Sequence, residues 1–252
     1  MNAKQSPTMA IILAAGKGTR MESELPKVLV PVCGKPMVRY VTDALATAGV
    51  DRTVAVVGYR ADLVQAELET LSDIEFAEQL EQRGTGHAVM MCRKQLEDHN
   101  GPVFVVAGDA AMLQASTVSK LLDIYAEESP ACIIGTVKHE NPTGYGRVVR
   151  DEAGNFQTIV EEKDASDAQR AIQEINVSTY VFNSQDLLAA FDQLTDNNAQ
   201  GEYYITDCPG LMLAASKKVS AHQVLQPCEA MSINSMSDLK LVEDEMKKMQ
   251  AS

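Results

Sequence analysis

The sequence predicts an α/β protein built on a mostly parallel, doubly wound sheet. Three observations predict it. Apolar runs of strand length at 10–15, 53–57, 102–108 and 131–137 carry too few polar positions to leave one face in water. Segments with helical apolar spacing lie between them, at 37–48, 61–71 and 116–128. Turn glycines such as Gly16, Gly49 and Gly58 punctuate the alternation. A sheet of this kind binds ligands in the crevice at the carboxyl ends of its strands.

The first run leads into Gly16-Lys17-Gly18-Thr19, then Arg20 and Leu25-Pro26-Lys27. Glycines let the backbone approach a ligand and aim N–H groups at anionic oxygens, while the cations offset phosphate charge from the sides. The stretch reads as a nucleotide-phosphate site. It is not a Walker loop, which needs GxxxxGK[ST], and Met21 stands where a dinucleotide fingerprint carries its third glycine. The spaced glycines alone also fit a plain strand-to-helix turn.

Residues 37–48 form an amphipathic helix stopped by Gly49, and 53–57 a second buried strand. Residues 61–71 form a helix with Leu63, Val64, Leu68 and Leu71 inward, and 74–77 a short third strand. Gly84 and Gly86 flank Thr85 just before a helix predicted at 88–96, where unpaired N–H groups gather; a capped turn is the alternative. His87 reads as fixing this loop rather than as a base. Strand 102–108 ends in Asp109, a hard oxygen donor suited to magnesium and equally to capping a helix. The 116–128 helix turns Leu121, Leu122 and Tyr125 inward, and residues 139–163 read as an exposed hairpin. A polar helix at 165–172, a strand at 174–182 and a helix at 184–194 follow. Residues 211–216 continue as a helix, 219–225 as a strand, and 236–250 as a closing helix, amphipathic from 239 to 249.

A net charge of −13 leaves no basic surface to track a nucleic-acid backbone. An anionic substrate then needs a divalent metal and a few placed cations to overcome the mean field locally. No apolar run approaches the roughly 20 residues of a membrane span, and the start MNAKQSPTMA has no apolar signal core, so secretion is not expected. Five scattered cysteines without CxxC spacing read as reduced thiols of a cytoplasmic protein.

Residues 9–37, MAIILAAGKGTRMESELPKVLVPVCGKPM, resemble the signature LxxGxGTRM…LPKxLxPxxGKPM of the sugar nucleotidyltransferases. Further matches are Gln79 with GTGHA at 84–88, Gly108-Asp109, GYGR at 144–147, IVEEKDA at 159–165, EIN at 174–176, NAQGEYYITD at 198–207 and SINS at 232–235. Over 9–246 the chain is most similar to the uridylyltransferase half of the bacterial bifunctional enzyme that makes UDP-N-acetylglucosamine. The resemblance implies one Rossmann-like, glycosyltransferase-A-like domain with a small β flap: a nucleotide half at 9–113, a sugar half at 114–235 and a terminal helix at 236–252.

It also implies that a sugar 1-phosphate attacks the α-phosphorus of UTP, with no covalent intermediate. Leu13, Ala14, Ala15 and Gly16 would hold base and ribose, and Gln79, Gly84 and Thr85 would read uracil. Lys27 would hold the α-phosphate and Arg20 the departing phosphates. Asp109 and Asn234 would hold Mg²⁺, and Gly108, Gly146, Glu161, Asn176, Tyr203 and Thr206 the sugar. By residue type alone, Glu161 also fits a solvated strand end, Asn176 a turn former and Asn234 a helix cap. Ala107, Ala110, Ala111 and Ser178 depart from the family, where an aromatic, a proline, a leucine and a glycine are usual. They leave open another sugar, CTP, or a catalytically silent nucleotide-sugar sensor. No hexapeptide repeat is present, so acetyl transfer is not expected. Oligomeric state is open.

Overall fold

The apolar runs become central strands of the main sheet in the computed structural model, which describes residues 6–18, 24–71 and 74–251. Arg20 lies outside the described residues. The strands are β1 (Met9–Ala14), β2 (Pro31–Val32), β3 (Lys35–Pro36), β4 (Arg52–Val57), β5 (Ile74–Glu78), β6 (Pro102–Ala107), β7 (Cys132–Lys138), β8 (Gly146–Arg150), β9 (Phe156–Val160), β10 (Glu174–Asn183) and β11 (Val219–Gln223). The helices are α1 (Met37–Thr47), α2 (Ala61–Leu68), α3 (Thr85–Met90), α4 (Arg93–Glu97), α5 (Ala115–Glu128), α6 (Asp167–Arg170), α7 (Ser184–Phe191), α8 (Cys208–Ala214) and α9 (Met236–Ala251).

The main sheet runs β11-β7-β10-β6-β1-β4-β5. Its pairs are parallel except at β10, which lies antiparallel between β6 and β7. Side chains alternate across β1: Met9 and Ile11 enter one core with Leu96, Leu187 and Phe191. Ala10, Ile12 and Ala14 enter the other with Val41, Leu45, Val64 and Leu121. Helices cover both faces, which is why the central strands carry no polar stripe.

Two local expectations change. The helix predicted at 88–96 starts at Thr85, because Gly84 takes φ +104° and turns the chain directly into its first turn, and it divides into α3 and α4 at Met91 and Cys92. The hairpin predicted as exposed is exposed at its 152–155 turn but partly buried along its strands. β8 pairs with the start of β10, and Val148, Phe156 and Ile159 join the core. The polar positions of its alternation, Arg147 and Arg150, are neutralised by Glu162 at 2.7 Å and Glu174 at 2.6 Å, so their charge does not mark solvent. α9 docks through Leu239, Val242 and Met246 against Val30, Val32, Met37 and Ile233. Among the described residues no helix is long and apolar enough to cross a membrane.

Candidate active site

The loop after β1 and the 3₁₀ turn Lys27–Leu29 meet at the carboxyl edge of the sheet. Gly18 has φ +65°, and a Cβ there would lie 2.5 Å from the Lys27 Cβ, so glycine alone lets the two segments pack this closely. The Lys27 ammonium sits 2.5 Å from Asp109 Oδ2, just past the end of β6. It also donates to Asn234 Oδ1 at 2.9 Å. A carboxylate and an amide from distant segments therefore converge on one cation. Hard oxygen donors of this kind are those that could hold a divalent ion. Neither acts as a helix cap: Ser235 Oγ accepts the Asp238 N–H at the start of α9, and Asp109 spends its carboxylate on Lys27.

A cavity of about 430 Å³ opens beside this cluster, lined by Leu13, Ala15, Gly16, Lys27, Gln79, Gly84, Thr85 and Asp109 among others. Gln79 is buried, and its amide group donates to Gly84 O at 3.0 Å. The same nitrogen lies 3.0 Å from His87 Nδ1. An amide nitrogen can only donate, so His87 Nδ1 accepts; burial, with the Arg83 charge adding to it and Glu81 opposing it, pushes the His87 pKa down. Both amide hydrogens are used, which leaves the carbonyl oxygen as the acceptor that the Gln79 side chain still offers.

Tyr203 does not line this cavity or its neighbour. It braces the base loop instead: Tyr203 O accepts from Gly86 N at 2.7 Å, Tyr203 N donates to Arg83 O at 2.8 Å, and the Arg83 guanidinium stands 4.9 Å from the ring centroid. A Cβ on Gly84 would fall 2.5 Å from Tyr203 O. The Thr85 hydroxyl accepts from Ile205 N at 3.1 Å, so its side chain belongs to the same brace.

The second cavity, about 210 Å³, is lined by Asp109, Tyr145, Gly146, Glu161, Asn176, Ser178 and Ser232 among others. Burial raises the Glu161 pKa; the Thr206 hydroxyl, 3.0 Å from Oε1, opposes the shift, and Asp207 and Asp164 add to it. Glu161 is thus not a solvated strand end, and Thr206 sits behind it rather than on the cavity. Gly146 brings backbone to the wall, where a Cβ would lie 3.5 Å from Glu161 Oε1. Asn176 is buried and accepts from Ser178 N at 3.3 Å, so it makes a local turn while lining the cavity. Ala14 and Gly108 line neither space; Gly108 N donates to Leu13 O at 2.9 Å and joins the ends of β6 and β1.

Tyr145 and Glu229 are among the wall residues that sequence reasoning missed. Tyr145 donates its hydroxyl to Ala230 O at 2.6 Å. The Glu229 carboxylate accepts from Gln114 N at 3.1 Å, Gln226 N at 2.7 Å and Thr117 Oγ1 at 2.7 Å. Tyr145 is placed by a partner far along the chain. Glu229 has a local signal as the third helical residue of a capping box with Gln226, but its bonds to Gln114 and Thr117 are long-range.

Comparison with known proteins identifies the family and the fold. A nucleotidyl transferase family model matches residues 9–225. The Bifunctional protein GlmU of Brevibacillus brevis is 45% identical over 239 residues, 95% of this chain and 51% of that protein. That of Limosilactobacillus fermentum is 46% identical over 231 residues, 91% of this chain and 50% of its own length. The chain thus spans about half the length of these relatives. A crystal structure of UDP-glucose pyrophosphorylase complexed with UDP-glucose superposes with a TM-score of 0.78, covering 96% of this chain and 99% of that one, at 16% identity. That likeness concerns the fold. A family match over most of the chain, carried on a sheet whose carboxyl edge gathers Lys27, Asp109 and Gln79, makes the protein a member of the nucleotidyl transferase family.

Proposed function

We propose that the chain transfers UMP from UTP to a sugar 1-phosphate, N-acetylglucosamine 1-phosphate, giving a UDP-sugar and pyrophosphate. The observation that carries this function is the Lys27–Asp109–Asn234 cluster, with Asp109 in the wall shared by two cavities. One space suits a nucleotide and the other a sugar. In the reaction a phosphate oxygen of the sugar 1-phosphate bonds to the α-phosphorus of UTP, and the bond from that phosphorus to the bridging oxygen of pyrophosphate breaks, in line. No group of the protein forms a covalent bond; positioning and charge do the chemistry.

Lys27 turns its ammonium to the α-phosphate and offsets the charge that builds there. The Gln79 carbonyl accepts the N3–H of uracil. Cytosine presents a lone pair at that atom and is repelled, which supports UTP over CTP. Gly84 and Thr85 offer backbone groups beside it, and the backbone of 13–16 faces the ribose. Glu161, steadied by Thr206, accepts hydrogen bonds from sugar hydroxyls, with Gly146 and Asn176 alongside. Asp109 and Asn234 fit Mg²⁺, since both already offer oxygen to one cation; bound there, the ion would supply further charge neutralisation. Residues 9–113 would serve the nucleotide, 114–235 the sugar, and 236–252 would secure the segment that carries Asn234. Five free thiols fit a cytoplasmic setting.

Pyrophosphate release from UTP, N-acetylglucosamine 1-phosphate and Mg²⁺ tests this function. CTP and other sugar 1-phosphates in the same assay read base and sugar choice. No release with any pair, alongside tight binding of a nucleotide sugar, makes the protein a silent sensor.

A further inference from the structure

Three of the described residues belong to the walls of both cavities: Ala107, Asp109 and Ser178. If one space takes the nucleotide and the other the sugar, as proposed above, the phosphate joining the substrates lies between them. Ala107 has no polar side chain. Asp109 brings negative charge, engaged by Lys27. Ser178 brings a neutral hydroxyl able to donate.

The backbone marks the same residue. Ser178 has φ +58°, in the left-handed region where a side chain costs roughly 1 kcal/mol or more. Its N–H donates to Asn176 Oδ1 at 3.3 Å, and β10 slips register against β7 between Asn176 and Tyr180. Thr179 pairs with Val106, so Ser178 stands beside Ala107 at the mouth of the sheet. A glycine would hold this conformation without strain. Among the described residues, the Tyr180 hydroxyl is the partner that lies beside the Ser178 hydroxyl. The buried Tyr180 hydroxyl is near enough for Asn176 and Ser178 to act on its proton, yet neither is in hydrogen-bonding geometry with it. A strained side chain that lines both cavities, and that closes no hydrogen bond of regular geometry among the described residues, points to a ligand.

We propose that Ser178 donates its hydroxyl to a phosphate oxygen of the sugar 1-phosphate where the cavities meet, and so sets the affinity for that substrate. Ser178→Ala removes the hydroxyl and keeps the strain; Ser178→Gly removes both. With the full chain, both variants raise KM for the sugar 1-phosphate about tenfold, the scale of one hydrogen bond to a charged acceptor, and leave KM for UTP unchanged. Ser178→Gly also melts above wild type as the strain is relieved. Calorimetric binding of UDP-N-acetylglucosamine, weaker in both variants, gives a readout apart from turnover.

An active wild type whose kinetic constants Ser178→Ala leaves unchanged overturns the contact while the transferase function stands. Equal losses for UTP and the sugar phosphate also overturn it, as a structural role. A wild type that fails to turn over but binds the UDP-sugar more tightly than Ser178→Ala defeats the transferase function and supports the contact. A wild type that neither turns over nor binds overturns both.

Discussion

Lys27 and Asp109 form an ion pair of 2.5 Å at the rim of the sheet, with 16% and 29% of their side chains exposed. One residue comes from the turn after β1 and the other from the end of β6, strands that pair in parallel. The ammonium also bonds Asn234 Oδ1, so it holds a place between two oxygen donors where another cation fits. Under the proposed function, substrate phosphates would compete for the same ammonium, and drawing it away would free both oxygens.

Lys27→Ala leaves those oxygens without their cation. The free variant is expected to bind Mn²⁺ about tenfold more tightly than wild type, the ratio that 1.4 kcal/mol produces. The EPR signal of unbound Mn²⁺ measures it, and equal affinities would show that lysine and ion occupy separate places. The same variant should lose at least about 100-fold in kcat, the scale of one oriented charge.

Asp109→Ala removes the carboxylate of the cluster. Activity should fall with it, and the residual rate should no longer respond to Mg²⁺. A titration of rate against Mg²⁺ reads this; full stimulation in the variant would rule the ligand out.

Gln79→Met removes the acceptor proposed for uracil N3–H, together with the bonds to Gly84 O and His87. The preference for UTP over CTP should fall about tenfold, the cost of one lost hydrogen bond with a partner left unmet. Competing kcat/KM values for the two nucleotides measure it. An unchanged preference places base recognition elsewhere.

Glu161→Gln separates stability from binding. Burial raises the folded-state pKa of Glu161 above its unfolded value, so the folded state favours the protonated carboxyl. Its favourable contribution is complete below the unfolded value of about 4.3 and is lost as pH rises through the folded pKa. The uncharged amide escapes that loss. Thermal melts should therefore place Glu161→Gln above wild type at pH 7, with the gap closing near pH 4, while its KM for the sugar phosphate rises. A gap independent of pH would contradict the assignment.

Much of the site was legible because its residues have local meaning. Gly16 and Gly18 after a buried strand signal close backbone approach, and Asp109 at a strand's carboxyl end signals a crevice carboxylate. The exposed-hairpin expectation failed along the strands because an ion-paired arginine such as Arg147 alternates like a solvated one; only its partner Glu162 distinguishes them. Tyr203 was expected at the sugar but braces Gly84 and Gly86, a role carried by its backbone, which no side-chain pattern reports.

By itself the sequence determined the strand–helix alternation, the glycine turn after β1 and the chemistry of Lys27, Gln79 and Asp109. These follow from periodicity and residue type within short windows. Only tertiary structure decided that Asn234 meets Lys27 across 207 residues, that β10 inserts antiparallel, and that Ser178 stands in both cavities. The reason is that such contacts are set by the pairing of distant strands and the docking of α9 on the core. Those energies are summed over the whole molecule, and no short stretch of chain encodes them.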